Sequence, residues 1–130
     1  MMNPRGILVV DDDDSVLTVI SGWLTRAGYR VFTAEGVKAA LSVFKHNRDH
    51  IDLLMTDIRL RLESGFDLGD ALEQQFGFGN HVFFTSFVWE KEIAEELLRR
   101  GKPYFEKPLK FKREVLPFLE TYFEEQPHES

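Results

Sequence analysis

Four short runs of apolar residues in this chain of 130 are closed by groups that could do chemistry. Ile7–Val10 runs into Asp11–Asp14, Leu53–Thr56 into Asp57, and Pro103–Glu106 into Lys107–Pro108, while His81–Thr85 ends in a hydroxyl and is followed by Ser86. Carboxylates gathered at one place repel and raise one another's pKa unless a cation compensates. A hard divalent ion answers that need, and Mg²⁺ is the natural candidate because it uses few carboxylates and keeps waters, leaving room for a phosphate. Carboxylate, metal, hydroxyl and ammonium together suit phosphoryl transfer, where positioning and charge neutralisation do most of the work. In that chemistry Asp57 is the nucleophile. Lys107 pairs first with the carboxylate and then with a phosphoryl oxygen, and Thr85 bonds another.

Those residues can meet only if the runs are neighbouring strands. Continuous runs rich in β-branched residues suit strands covered on both faces, as in a parallel sheet. Between them lie helical periodicities. Val16, Ile20, Trp23, Leu24 and Ala27 recur before Gly28; Ala40, Leu41 and Phe44 mark a second helix over 37–46; a third follows Gly65, from about Phe66 to Phe76. Glu90–Arg100 carries Ile93, Ala94, Leu97 and Leu98 on one side before Gly101. The last helix buries Val115, Leu116, Leu119, Tyr122 and Phe123; Pro117 is tolerated only in a first turn, so that helix starts between Arg113 and Leu116. Tyr29–Thr33 supplies the remaining strand, and 58–64 reads as a loop. Five βα repeats imply an α/β fold, a parallel sheet doubly wound with helices on both faces and right-handed crossovers. Ligands of such sheets sit at the carboxyl ends of the strands.

Composition narrows the function classes. The length is that of one domain, read as 1–130 with a core of about 5–124 and a polar tail over 125–130. There is no cysteine, which excludes disulfide and thiolate chemistry and favours a reducing compartment. The segment Met1 to Gly6 has no signal-peptide pattern, and no apolar run approaches the roughly 18 residues of a membrane helix, so the expected location is cytoplasmic. A net charge of −6 argues against direct nucleic-acid contact. His46, His50, His81 and His128 have neither metal spacing nor a Ser or Cys partner and read as incidental.

With these residues in view, the chain resembles the receiver domain of two-component response regulators over essentially its whole length. The motifs are ILVVDDDDSV at 7–16, DLLMTDIRL at 52–60, VFFTSF at 82–87 and YFEKPL at 104–109, with 22 residues from Thr85 to Lys107 and Gly65 eight residues after Asp57. The resemblance implies a five-stranded sheet of order 2-1-3-4-5. It implies Asp57 as phosphoacceptor and Asp11 and Asp12 as the acidic pair, with Asp12 a direct Mg²⁺ ligand and the backbone carbonyl of Arg59 a further one. Thr85 matches the switch hydroxyl, Lys107 the conserved-type lysine, Pro108 a proline often preceded by a cis peptide, and Tyr104 the aromatic switch. Asp13 and Asp14 fall outside the pair and read as helix caps. The implied partners are a histidine kinase or histidine phosphotransfer protein as donor and an unknown output protein or fused effector domain. A phosphorylation-dependent dimer through the fourth helix, fifth strand and fifth helix is also implied. The domain would catalyse only its own modification and is not otherwise an enzyme.

Three departures stand out. The family pattern after the acceptor carries a methionine and a proline, where this chain has Leu60 and Arg61; losing the proline should loosen the loop. Ser86 stands where a very small residue is favoured. Arg59 and Phe87, at positions that tune hydrolysis in the family, are both bulky and are expected to lengthen the phospho-form's lifetime. Competing readings fare worse. A phosphorylation-independent receiver-like scaffold would be expected to lose the acceptor, acidic pair or lysine. An aspartate-nucleophile phosphatase needs a carboxylate where Arg59 stands, and a flavin carrier needs a phosphate loop where Asp11–Asp14 stand.

Overall fold

The computed structural model describes residues 3–126. Strands β1 (Gly6–Val10), β2 (Arg30–Ala34), β3 (Leu53–Asp57), β4 (His81–Thr85) and β5 (Tyr104–Glu106) alternate with helices α1 (Asp14–Arg26), α2 (Val37–Asn47), α3 (Gly65–Phe76), α4 (Lys91–Arg100) and α5 (Leu116–Glu124). The five strands form one parallel sheet in the order β2-β1-β3-β4-β5, as expected. No helix among the described residues is long and apolar enough to cross a membrane. Residues 127–130 of the polar tail, His128 included, lie outside the described residues.

The three inner strands are buried along their whole length, which is why their sequences lack alternation. Their side chains still divide by the pleat. Ile7, Val9, Met55, Val82 and Phe84 face a core completed by Leu17, Ile20 and Leu24 of α1 and by Leu119 of α5. Leu8, Val10 and Leu54 face α2 and α3 through Ala40, Phe44, Leu68 and Leu72. Phe83 joins Ile58, Phe66, Ile93 and Leu97 under α4. Burying a side chain of this size contributes about 2 kcal/mol relative to exposing it, so the apolar clusters on the two faces hold the sheet between its helix layers.

Local signals set the element ends. The Asp13 side chain accepts from the Ser15 and Val16 amides, capping α1, and Asp14 lies in the first turn where the helix dipole favours an anion. Gly77 and Gly101 end α3 and α4 in the left-handed conformation.

Two sequence expectations need correction. Only Ile93 and Leu97 of α4 are buried; Ala94 and Leu98 face solvent, Leu98 at 84% exposure, because α4 packs along a single i, i+4 line. The segment after Asp57 is no plain loop. Arg59–Leu60 and Glu63–Ser64 pair as a two-residue antiparallel hairpin, with Arg61 at φ 57° on its first turn position. A left-handed turn residue matches the twist of such hairpins. The start of α5 at Leu116 falls within the expected range: a π-helical turn at Phe111–Val115 precedes it, and Pro117 lies in its first turn, where a missing N–H costs nothing.

Candidate functional site

Parallel pairing brings the carboxyl ends of β1, β3, β4 and β5 to one edge, and the polar residues that close them converge. Thr56 pairs with Val10 and Asp57 with Phe84, so Asp57 stands level with the end of β1 and one step before Thr85. Thr85 in turn pairs with Glu106, which puts Lys107 just beyond it. The Lys107 amide donates to the Thr85 carbonyl at 2.9 Å and fixes that register. The Lys107–Pro108 peptide is cis.

The Lys107 ammonium spans two strand ends. Its Nζ donates to Asp11 Oδ2 at 2.7 Å and to Asp57 Oδ2 at 2.6 Å. Asp11 and Asp57 are buried, and Asp12 is partly exposed at the rim. Oxygens of Asp11, Asp12 and Asp57 lie within 4.8 Å of one another. Asp11 Oδ1 also accepts from the Asp13 amide at 2.9 Å, and Asp57 Oδ1 from the Arg59 amide at 3.2 Å.

One ammonium cannot neutralise three carboxylates. Burial pushes the Asp57 carboxyl above its usual range, the hydrogen bond and charge of Lys107 work against that, and Asp11 adds to it. Burial also opposes the Lys107 cation, but Asp11 and Asp57 outweigh it and hold its pKa above the ordinary lysine value. The donor set is all oxygen, compact and short of positive charge, which fits a small hard divalent cation.

The other expected residues are distributed as follows. Thr85 is fully buried, and its Oγ1 accepts from the Phe87 amide at 3.0 Å. Tyr104 is half exposed at the sheet edge, away from the carboxylates' hydrogen-bond network. The Arg59 guanidinium lies over the Phe87 ring, 4.1 Å from its centroid, and pairs with Glu90. Trp89 sits edge-on to Phe87 and is largely exposed. Ser86, Lys107, Pro108 and Leu109 face Val16, Val19 and Trp23 of α1 across a groove of about 450 Å³ that starts beside Lys107.

Several contacts had no sequence signal strong enough to find them. Arg61 Nε lies 3.8 Å from Asp12 Oδ2. Glu63 Oε1 accepts from the Val37 amide at 3.2 Å and so caps α2 from across the hairpin. Where the family pattern has a proline, the segment forms a hairpin that carries a two-residue ladder and these side-chain contacts. His81, which looked incidental, is buried and its Nε2 donates to the Phe78 carbonyl at 2.7 Å.

Comparison with known proteins places this arrangement. The family model described as response regulator receiver domain matches residues 7–116. The chain is 39% identical over 71 residues, 55% of its length, to the two-component response regulator ARR21 of Arabidopsis thaliana, and covers 12% of that protein. It is 32% identical over 102 residues, 78% of its length, to the transcriptional regulatory protein YrkP of Bacillus subtilis, covering 42% of it. The chain thus spans less than half the length of these relatives. Among solved structures it is similar to the chemotaxis protein CheY4 of Vibrio cholerae, at 26% identity, TM-score 0.78 and coverage of 91% and 98% of the two chains. A CheY-like receiver domain protein of Methanospirillum hungatei is 25% identical, with TM-score 0.80 and coverage of 95% and 96%.

Proposed function

The chain belongs to the response regulator receiver domain family, and we propose that it is a phosphoacceptor switch in a two-component phosphorelay, with Asp57 as the acceptor. The observation that carries this reading is the Lys107 ammonium held between Asp11 and Asp57, with Asp12 close enough to share one cation with them.

An Asp57 oxygen attacks the phosphorus of a phosphohistidine on a kinase or phosphotransfer protein; the P–N bond breaks, and the leaving imidazole nitrogen keeps the electron pair and takes up a proton. Asp11, Asp12, Asp57 and the Arg59 carbonyl would hold Mg²⁺, which would supply charge neutralisation for the phosphoryl oxygens. Lys107 would follow its negative charge from the carboxylate to a phosphoryl oxygen, and Thr85 would turn its hydroxyl from the Phe87 amide to another. The groove between α1 and Pro108–Leu109 begins beside Lys107 and offers the donor protein an apolar footing. Arg59 and Phe87, stacked at the mouth, would hinder in-line attack by water and prolong the phospho-form.

Movement of Thr85 would bias α4, β5 and α5, whose exposed Leu98 and half-exposed Tyr104 give a surface for an output partner or second copy. Exclusion of nucleic acid contact, a cytoplasmic setting and the extent 1–130 as one domain belong to the same reading.

The test is incubation with Mg²⁺ and acetyl phosphate followed by intact-mass measurement. A single phosphoryl adduct, dependent on Mg²⁺ and absent from Asp57→Asn, is expected. No adduct and no Mg²⁺ binding would overturn the reading in favour of a phosphorylation-independent scaffold.

A further inference from the structure

Two cations of the chain serve the acidic cluster, and they are built differently. Lys107 is mostly buried and hydrogen-bonded to both Asp11 and Asp57. Asp12 is left to Arg61, whose Nε stands 3.8 Å from Asp12 Oδ2 with the side chain 78% exposed. Arg61 owes that position to the backbone. It occupies the first turn position of the hairpin at φ 57°, a value closed to the proline of the family pattern, whose ring locks φ near −65°. The base of the hairpin is fixed on both sides: Arg59 pairs with Glu90 before α4, and Glu63 caps the Val37 amide of α2. The guanidinium therefore extends from an anchored turn to a place beside the most exposed carboxylate of the cluster.

We propose that Arg61 is an internal counter-ion of Asp12 that a divalent cation must displace, so that the chain binds Mg²⁺ more weakly than the same site without Arg61. The inference rests on the reading of Asp11, Asp12 and Asp57 as the metal site. A guanidinium and a divalent ion on one carboxylate repel each other, so metal entry costs the Arg61–Asp12 attraction. Exposed ion pairs are weak, which limits the effect to about two- to fivefold in affinity.

The experiment is a Mg²⁺ titration of the full chain, followed by calorimetry and by amide NMR shifts of residues 11–13. Arg61→Gly removes the guanidinium while glycine accepts the left-handed turn, so folding is preserved. It is expected to lower the Mg²⁺ Kd about two- to fivefold at low ionic strength, with the difference vanishing near 0.5 M salt. Arg61→Lys, which keeps the charge, should stay nearer the parent. Arg99→Gln, which removes a charge on α4 paired with Glu96, should match it. An Arg61→Gly Kd equal to or weaker than the parent's overturns the proposal, as does equal tightening in Arg99→Gln, which would mean a net-charge effect alone. Failure of the metal-site reading has a different signature: no Mg²⁺ binding by the parent, or binding undiminished in Asp12→Asn, overturns both.

Discussion

Replacing Gly65 with alanine separates helix propensity from the close approach of two backbones. Gly65 is the first residue of α3, and its amide donates to the Ile58 carbonyl at 2.7 Å. A Cβ added there would lie 2.1 Å from the Asp57 carbonyl oxygen, 3.0 Å from its carbon and 3.1 Å from Thr56 Cγ2. Relief requires α3 and the end of β3 to part by about an ångström, since non-bonded carbon contacts settle near 3.5 Å. Both elements are packed into the core, so neither gives freely. Overpacking of this kind costs about 3 kcal/mol. Alanine's better helix propensity offsets at most about 1 kcal/mol, leaving a net loss of about 2 to 3 kcal/mol. For a chain of this length that lowers Tm by about 10 °C. An ångström's displacement of Asp57 should also slow its phosphorylation by about 100-fold. Urea denaturation and the rate of adduct formation from acetyl phosphate read the two effects. Gly77→Ala is the control: it has open space and φ 66°, so it should cost about 1 kcal/mol and leave phosphorylation unchanged. A Gly65→Ala protein as stable as the parent, with phosphorylation within about threefold, would refute the argument.

Lys107→Met should destabilise the chain by about 3 kcal/mol at neutral pH, because Asp11 and Asp57 would be left buried without their shared cation. The loss should shrink as pH falls and the Asp57 carboxyl, raised by burial, takes up its proton, a trend that denaturation at pH 7 and pH 4.5 would detect. Burial holds the His81 imidazole below its ordinary pKa, with the Phe78 carbonyl opposing. A depressed folded pKa means that the unfolded chain binds the proton first. His81 therefore lowers stability as pH falls from about 6.5, the unfolded value, toward its folded pKa. Parent minus His81→Gln stability, measured from pH 8 to pH 5, should show that slope; a flat difference would refute the assignment.

Much of this chain was legible before any tertiary contact was known. Apolar runs closed by Asp11, Asp57, Thr85 and Lys107, with helical stripes between them, determine a βα alternation. A parallel sheet then has to bring those ends to one edge, and it does. The cap at Asp13 and the permitted Pro117 were readable because both obey local rules of helix ends. What tertiary structure decided was pairing across distance. Which carboxylate takes Lys107 and which takes Arg61 depends on how the hairpin turns, and a left-handed arginine leaves no pattern in a sequence. The exposure of Leu98 and the burial of His81 were equally hidden. Periodicity reports which face of a helix is apolar, whereas only packing against α3 and β4 settles how wide a strip of that face is covered.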